Sequence, residues 1–278
     1  MAFTELLLHW RFDPLLLLFT ATLTGLYGLV SRFRRSPNNW FFGSCIFIFL
    51  IATCSPFHYL GMHYYFSAYM VCHVTVLLVC GPLLVMAVPN RPSLFVAGRL
   101  KTLSAYLASR PWLTWFAAVG IMWFWHIPLI FDHSMTAMQN GFSVVTCLHP
   151  VSMLAGGFLF SWPLFGPSGT GRLHPLSGVL YLFTACVSCS LLGLLITFAP
   201  AGTYHHYIQM AGMPGRPWNI SPQDDQQAAG LIMWVPCCFL YLGGCIYLLL
   251  HWFSAKPVST GKRDGTIQTL ILDENRKK

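Results

Sequence analysis

HYLGMHYYFSAYMVCHVTVLLVCGPLLVMAV, residues 58–88, begins with metal-capable side chains and ends in oil. Its first half holds His58, His63 and His73, Met62 and Met70, and Cys72. From about 65 to 88 it is apolar, and at 1.5 Å rise per residue a helix of that length crosses the ~30 Å hydrocarbon core of a bilayer. The question is why soft and basic ligands gather at the mouth of a membrane span, and on which side of the membrane that mouth lies.

The rest of the chain answers in the same solvent. Of 278 residues, 55% are hydrophobic and 9% charged, whereas a soluble domain carries about 25% charged residues. Too little charge is present to clothe a water-soluble globule. The formal net charge of +8, with no polar domain to carry it, is a topology signal and not a nucleic-acid footprint. Most of the ten cysteines lie inside apolar runs, where a small soft hydrophobe is the simplest role.

Seven runs, roughly 12–31, 40–56, 65–88, 112–130, 141–163, 176–199 and 228–252, predict an all-α polytopic membrane protein with seven transmembrane helices. The first is not expected to be a cleaved signal, because it lacks a basic leader and is followed by Arg32, Arg34 and Arg35. With the N-terminus outside, 14 of the 16 Lys and Arg fall on the inner side, and only Arg11 and Arg216 stay outside. This bias predicts an N-out, C-in topology. Residues 1–255 form the membrane domain and 256–278 a polar cytoplasmic tail. The connection at roughly 200–227 is rich in Gly and Pro and is expected to be a structured outer loop, with room for a short interfacial helix. Ser221-Pro222 with Asp224 and Asp225 marks the start of the last span.

In this topology nine of the eleven histidines lie outside or in the outer half of the bundle; only His174 and His251 are on the inner side. His73 and His149 each lie eight residues into a span running inward, ~12 Å below its mouth. His126 sits near the outer end of the fourth span. A lone intramembrane His is often a packing residue bonded to a carbonyl; a pair at matching depth points to a site. Tyr69 shares a helix face with His73, Met153 with His149, and Met122 with His126. Imidazole suits copper and zinc, and thioether or thiolate favours Cu(I). Asp225 is placed to supply a carboxylate or to orient a ligating His. CVSC at 186–189 and Cys237-Cys238 have metal-compatible spacing, but near mid-membrane their simplest role is to let helices approach.

Four blocks carry a family resemblance: FSAYMVCHVTVLLVCGPLLV (66–85), WFWHIPLIFD (123–132), CLHPVSMLAGGFLFSWPL (147–164) and DDQQAAGLIMWVP (224–236). In order and pattern they resemble the cytochrome c oxidase assembly factor CtaG family, seven-span bacterial membrane proteins associated with copper supply to the oxidase. The resemblance implies a non-enzymatic copper-handling factor of the bacterial cytoplasmic membrane. Its partners would be membrane lipid and an oxidase subunit or copper donor protein, with no nucleic acid. Carried over by position, it points to His73, His126, His149 and Asp225 as metal site, with Met70 beside them. Two positions depart from the family pattern: Tyr69 and Val145 stand where the family has His. His63, in the connection before the third span, is the candidate replacement. Three other accounts remain open: a haem- or metal-containing electron-transfer subunit using His73 and His149, a copper transporter, and a structural subunit of a respiratory complex.

Overall fold

In hydrocarbon every backbone N–H and C=O must be satisfied within its own segment, so apolar runs of this length fold as helices. The computed structural model describes residues 8–31, 36–89, 94–139, 143–167, 172–213 and 216–254, and within them the ordered elements are all helical. The tail expected at 256–278, and Arg32, Arg34, Arg35 and Arg91 among the topology-setting residues, lie outside the described residues.

The chain forms α1 (Pro14–Ser31), α2 (Asn38–Cys54), α3 (Pro56–His63) and α4 (Phe66–Thr75). A π-helical turn at Val76–Cys80 leads into α5 (Gly81–Ala87), followed by α6 (Leu94–Ser109), α7 (Pro111–His126), α8 (Pro128–Gln139) and α9 (Val144–Phe165). The last three are α10 (Pro175–Phe198), α11 (His205–Ala211) and α12 (Pro222–Ser254). Five of these are long and apolar enough to cross a membrane: α1, the continuous Phe66–Ala87, α9, α10 and α12. There are seven if α2 with α3, bent by 42°, and α7 with α8, bent by 73°, each count as one span.

Both bends occur at Pro. The residue before a proline is pushed out of the helical region, and Ser55 (ψ 162°) and Ile127 (ψ 120°) are extended there. The short second run at 40–56 therefore ends at Cys54, and the fourth stops at His126. Helix α12 begins at Pro222 with Asp224 and Asp225 in its first turn, as the Ser221-Pro222 signal predicts, six residues ahead of the apolar run itself. Helix α6 was not expected from the sequence. It is tied to the end of α9 by the Trp162 indole N–H, which donates to the buried Ser104 hydroxyl (3.1 Å).

Lipid removes the hydrophobic drive between helices, so close packing depends on small residues. A Cβ on Gly81 would lie 2.5 Å from Gly157 Cα, and one on Gly157 would overlap the Leu77 carbonyl oxygen. The third and fifth spans thus cross backbone to backbone. His73 lies eight residues before Gly81, and His149 eight residues before Gly157. Parallel helices touching at those glycines must bring the two imidazoles to the same level. Outward-facing side chains are apolar, as in Phe198 (75% exposed) and Phe239 (72%), which is the surface a bilayer solvates.

At the histidine-rich end, the 200–227 connection folds onto the bundle. The Tyr207 hydroxyl donates to Gly61 O (2.7 Å) and the Tyr204 hydroxyl to His126 O (3.1 Å). Asp132 accepts from the backbone N–H groups of His205 and His206 (both 3.2 Å). The expected loop helix is present as α11, which packs onto the bundle through the buried His206 and Tyr207 and leaves His205, Ile208 and Gln209 exposed.

Candidate functional site

Helix α4 carries His73, and its start is unusual. Its N-cap, Tyr65, offers no side-chain cap, so the first N–H groups need another acceptor. Asp225 from α12 supplies it. One carboxylate oxygen accepts from Phe66 N (2.6 Å), the other from Ser67 N (3.1 Å) and the Ser67 hydroxyl (2.5 Å). A buried carboxylate at a helix N-terminus satisfies the free donors and the helix dipole together. One turn beyond His73 the helix widens into its π turn, ahead of Pro82, which lacks the N–H an α-helical ladder needs.

Three imidazoles meet below this cap. The His73 and His126 ring centroids are 4.7 Å apart, and those of His73 and His149 5.2 Å. All three side chains are buried. His126 ends α7, and its Nδ1 lies 2.6 Å from Met122 O. A carbonyl only accepts, so Nδ1 carries the proton and Nε2 presents a lone pair. That Nε2 is buried without a partner, as are both ring nitrogens of His73. Leaving a buried polar atom unpaired costs about 1–3 kcal/mol, so this cluster is energetically incomplete by itself.

His149 is already engaged. The Tyr69 hydroxyl lies 3.0 Å from its Nε2 and 3.3 Å from its Nδ1. Trp125 packs edge-on against the ring (4.8 Å). Ser152 then links the two elements, accepting from the Trp125 indole (2.9 Å) and donating to His149 O (2.8 Å). Tyr69, standing where the resemblance leads one to expect His, thus occupies a nitrogen of the third imidazole.

Beside His73 and His149 is a cavity of about 20 Å³, lined also by His58, Tyr69, Cys72 and Met153. That is room for one water-sized occupant. His58 is the residue that sequence reasoning left at the mouth. Its N–H is capped by Ser55 Oγ (3.3 Å), α3 starts at Pro56 after the 42° bend, and its Nδ1 is buried and unpartnered. The Ser55-Pro56 helix start was the available signal, because it turns His58 back toward the bundle.

The remaining expected ligands are placed elsewhere. His63 stacks on Tyr59 (4.1 Å), with Nδ1 on Tyr59 O (3.0 Å), and is not brought to the three rings. Met70 is fully buried in the apolar core; Met153 and Cys72 line the cavity instead. Asp225 is brought to the end of the His73 helix, not to its ring. Val145 is half-buried in the first turn of α9, packed against the core. Among the described residues no three His, Cys, Asp or Glu converge tightly enough to hold a metal ion as they stand. What the geometry offers is an open pair, His73 and His126, with a third imidazole held back by Tyr69.

Residues 20–255 match the model of a family described as cytochrome c oxidase caa3 assembly factor (CtaG). No curated protein and no solved structure matches the chain.

Proposed function

The chain belongs to the cytochrome c oxidase caa3 assembly factor family, and on that premise we propose that it carries Cu(I) as cargo for the copper centre of the oxidase. The observation that carries this reading is the pair of unpartnered donors on touching rings: His126 Nε2, with its proton fixed on Nδ1 by Met122, and His73. A ligating His normally donates its other N–H to a carbonyl or carboxylate, and His126 already does. Cu(I) accepts imidazole and soft sulfur donors, and Met153 and Cys72 stand at the cavity beside His73.

An open pair suits a carrier. A rigid four-ligand cage would retain the ion, whereas a two-imidazole site leaves an edge for the acceptor. His58, reaching the same cavity from the end of the bundle, is the first contact for an incoming ion. His149 becomes a third donor when Tyr69 releases it. The proposed role is transfer by ligand exchange, without an enzymatic reaction, to an oxidase subunit in the bacterial cytoplasmic membrane. The basic-residue bias supports a site on the outer side, with the N-terminus out. The haem alternative is less well supported: two axial ligands must stand on opposite faces of a macrocycle, and the space beside His73 and His149 is about 20 Å³.

The test is a Cu(I) titration of purified, reduced protein against a chromophoric chelator. Wild type should bind near-stoichiometrically. His73→Ala and His126→Ala should each weaken binding by more than the ~10–100-fold typical of an outer-shell partner. Tyr69→Phe, which frees His149, should tighten it. Unchanged affinity in both alanine variants would overturn the reading.

A further inference from the structure

The cysteines that the imidazole cluster does not use have a geometry of their own. Helices α10 and α12 cross at Gly193 and Gly230: a Cβ on Gly193 would lie 2.9 Å from Gly230 O, and one on Gly230 2.7 Å from Gly193 O. From that crossing, Cys189 and Cys186 lie four and seven residues back along α10, and Cys237 and Cys238 seven and eight residues onward along α12. In antiparallel helices these offsets fall on one seam. The Cys186 and Cys238 sulfurs are 3.6 Å apart, and Cys189 and Cys237 are buried on the same seam. Ser190 Oγ touches Cys238 Sγ (3.4 Å), and the Cys189 thiol points at Met233 O (3.5 Å).

Close helix packing asks only for small side chains, which Ala or Gly provide. It does not ask that four thiols from two helices face each other. Among the described residues no three of these thiols converge closely enough to hold a metal ion, so a tetrahedral Zn site is not formed. The outer pair, Cys186 and Cys238, is half-buried, while Cys189 and Cys237 are buried. Cys45 and Cys80 are both fully buried and leave an ion no approach.

We propose that Cys186 and Cys238, facing each other across the α10–α12 seam, form a two-coordinate site for a soft monovalent cation, Cu(I) or Ag(I), with the buried Cys189 and Cys237 behind it. Thiolate selects soft ions. The charge balance fits the surroundings: one thiol loses its proton, the second binds as a neutral donor, and M⁺ with one thiolate is net neutral. The displaced proton goes to the donor thiolate that delivers the ion, or to buffer when the free ion is added. No net charge is left in the hydrocarbon, where an isolated charge is costly. Nothing in this depends on the reading of the imidazole cluster.

The experiment uses the full chain in detergent micelles with a phosphine reductant. Maleimide labelling of each cysteine is followed by peptide mass spectrometry, with and without one equivalent of Ag(I) nitrate. Bound thiolate is masked from the reagent, so labelling of Cys186 and Cys238 should slow at least about tenfold. Cys147 and Cys245, half-buried and each without a thiol partner among the described residues, should be unchanged. The protection should persist in His73→Ala/His126→Ala and vanish at Cys238 in Cys186→Ser. Unaltered labelling of Cys186 and Cys238 in wild type would overturn the proposal without touching the imidazole reading. So would protection that disappears when the two histidines are removed.

Discussion

Replacing Asp225 by Asn keeps the shape and removes the charge, and it separates a helix cap from a metal ligand. The carboxylate accepts from three donors, one on Phe66 and two on Ser67, at 2.5–3.1 Å. An Asn has one acceptor oxygen. Whichever way the amide lies, its NH₂ faces an N–H or O–H donor, and at least one bond is lost. A hydrogen bond to a charged group contributes about 1.5–3 kcal/mol, and the charge at a partly buried helix terminus up to ~2 kcal/mol more. With the side chain only 2% exposed, water cannot repair the loss. The expected destabilisation is about 3 kcal/mol. For a chain of this size that lowers the melting temperature by about 6–12 °C. The assay is the monodisperse fraction remaining after heating in detergent, run beside Cu(I) stoichiometry on the protein that stays folded. The cap account expects a lower melting temperature with unchanged stoichiometry. An unshifted melting temperature with a lost ion would refute it and make Asp225 a ligand.

Two further outcomes test the frame around the site. Gly157→Ala places a Cβ against the Leu77 carbonyl oxygen and 3.1 Å from Gly81 Cα; both obstacles are backbone, so no rotamer relieves them. Destabilisation of about 1–3 kcal/mol is expected, whereas Gly120→Ala, whose Cβ would meet nothing within 4 Å, should be neutral or stabilise by up to ~1 kcal/mol; equal melting temperatures would show that the helices do not cross there. In the loop helix, burial holds the His206 imidazole below its ordinary 6.5, with the Met62 carbonyl and Asp132 partly opposing. The closed loop therefore keeps His206 neutral, the opened loop binds the proton more readily, and the loop's stability is complete above pH 6.5 and falls as the pH drops below it. Hydrogen exchange over residues 204–213, corrected for intrinsic rates, should rise between pH 7.5 and 5.5, and His206→Gln should flatten the dependence; an identical profile in the variant would assign the effect elsewhere.

What the sequence determined by itself was everything set by length, solvent and local stereochemistry. Apolar runs of about 20 residues can only be helices in lipid, and apart from α6 the long helices fall on the expected runs to within a few residues except where a local signal intervened. Ser55-Pro56 and Ile127-Pro128 broke two spans, whereas Pro222 starts the last one where the sequence marked it. His73 and His149 could be matched because their depths are counts along two parallel helices. The block around Asp225 also identified the family. Which nitrogens are free was not legible, because that depends on contacts between helices far apart in sequence. Met122 fixes the proton of His126 from within one helix, but Tyr69 reaches His149 across eighty residues. Asp225, expected to supply a carboxylate or to orient a ligating His, reaches Phe66 and Ser67 at the start of the His73 helix across about twice that gap, 158–159 residues. His58 was taken for a loop group until the bend at Pro56 turned it toward the cavity, and the four thiols face one another only because Gly193 and Gly230 set the register of α10 against α12. Periodicity and composition act along one segment; the partner of a buried polar atom is set by how segments pack, and only the tertiary structure decides it.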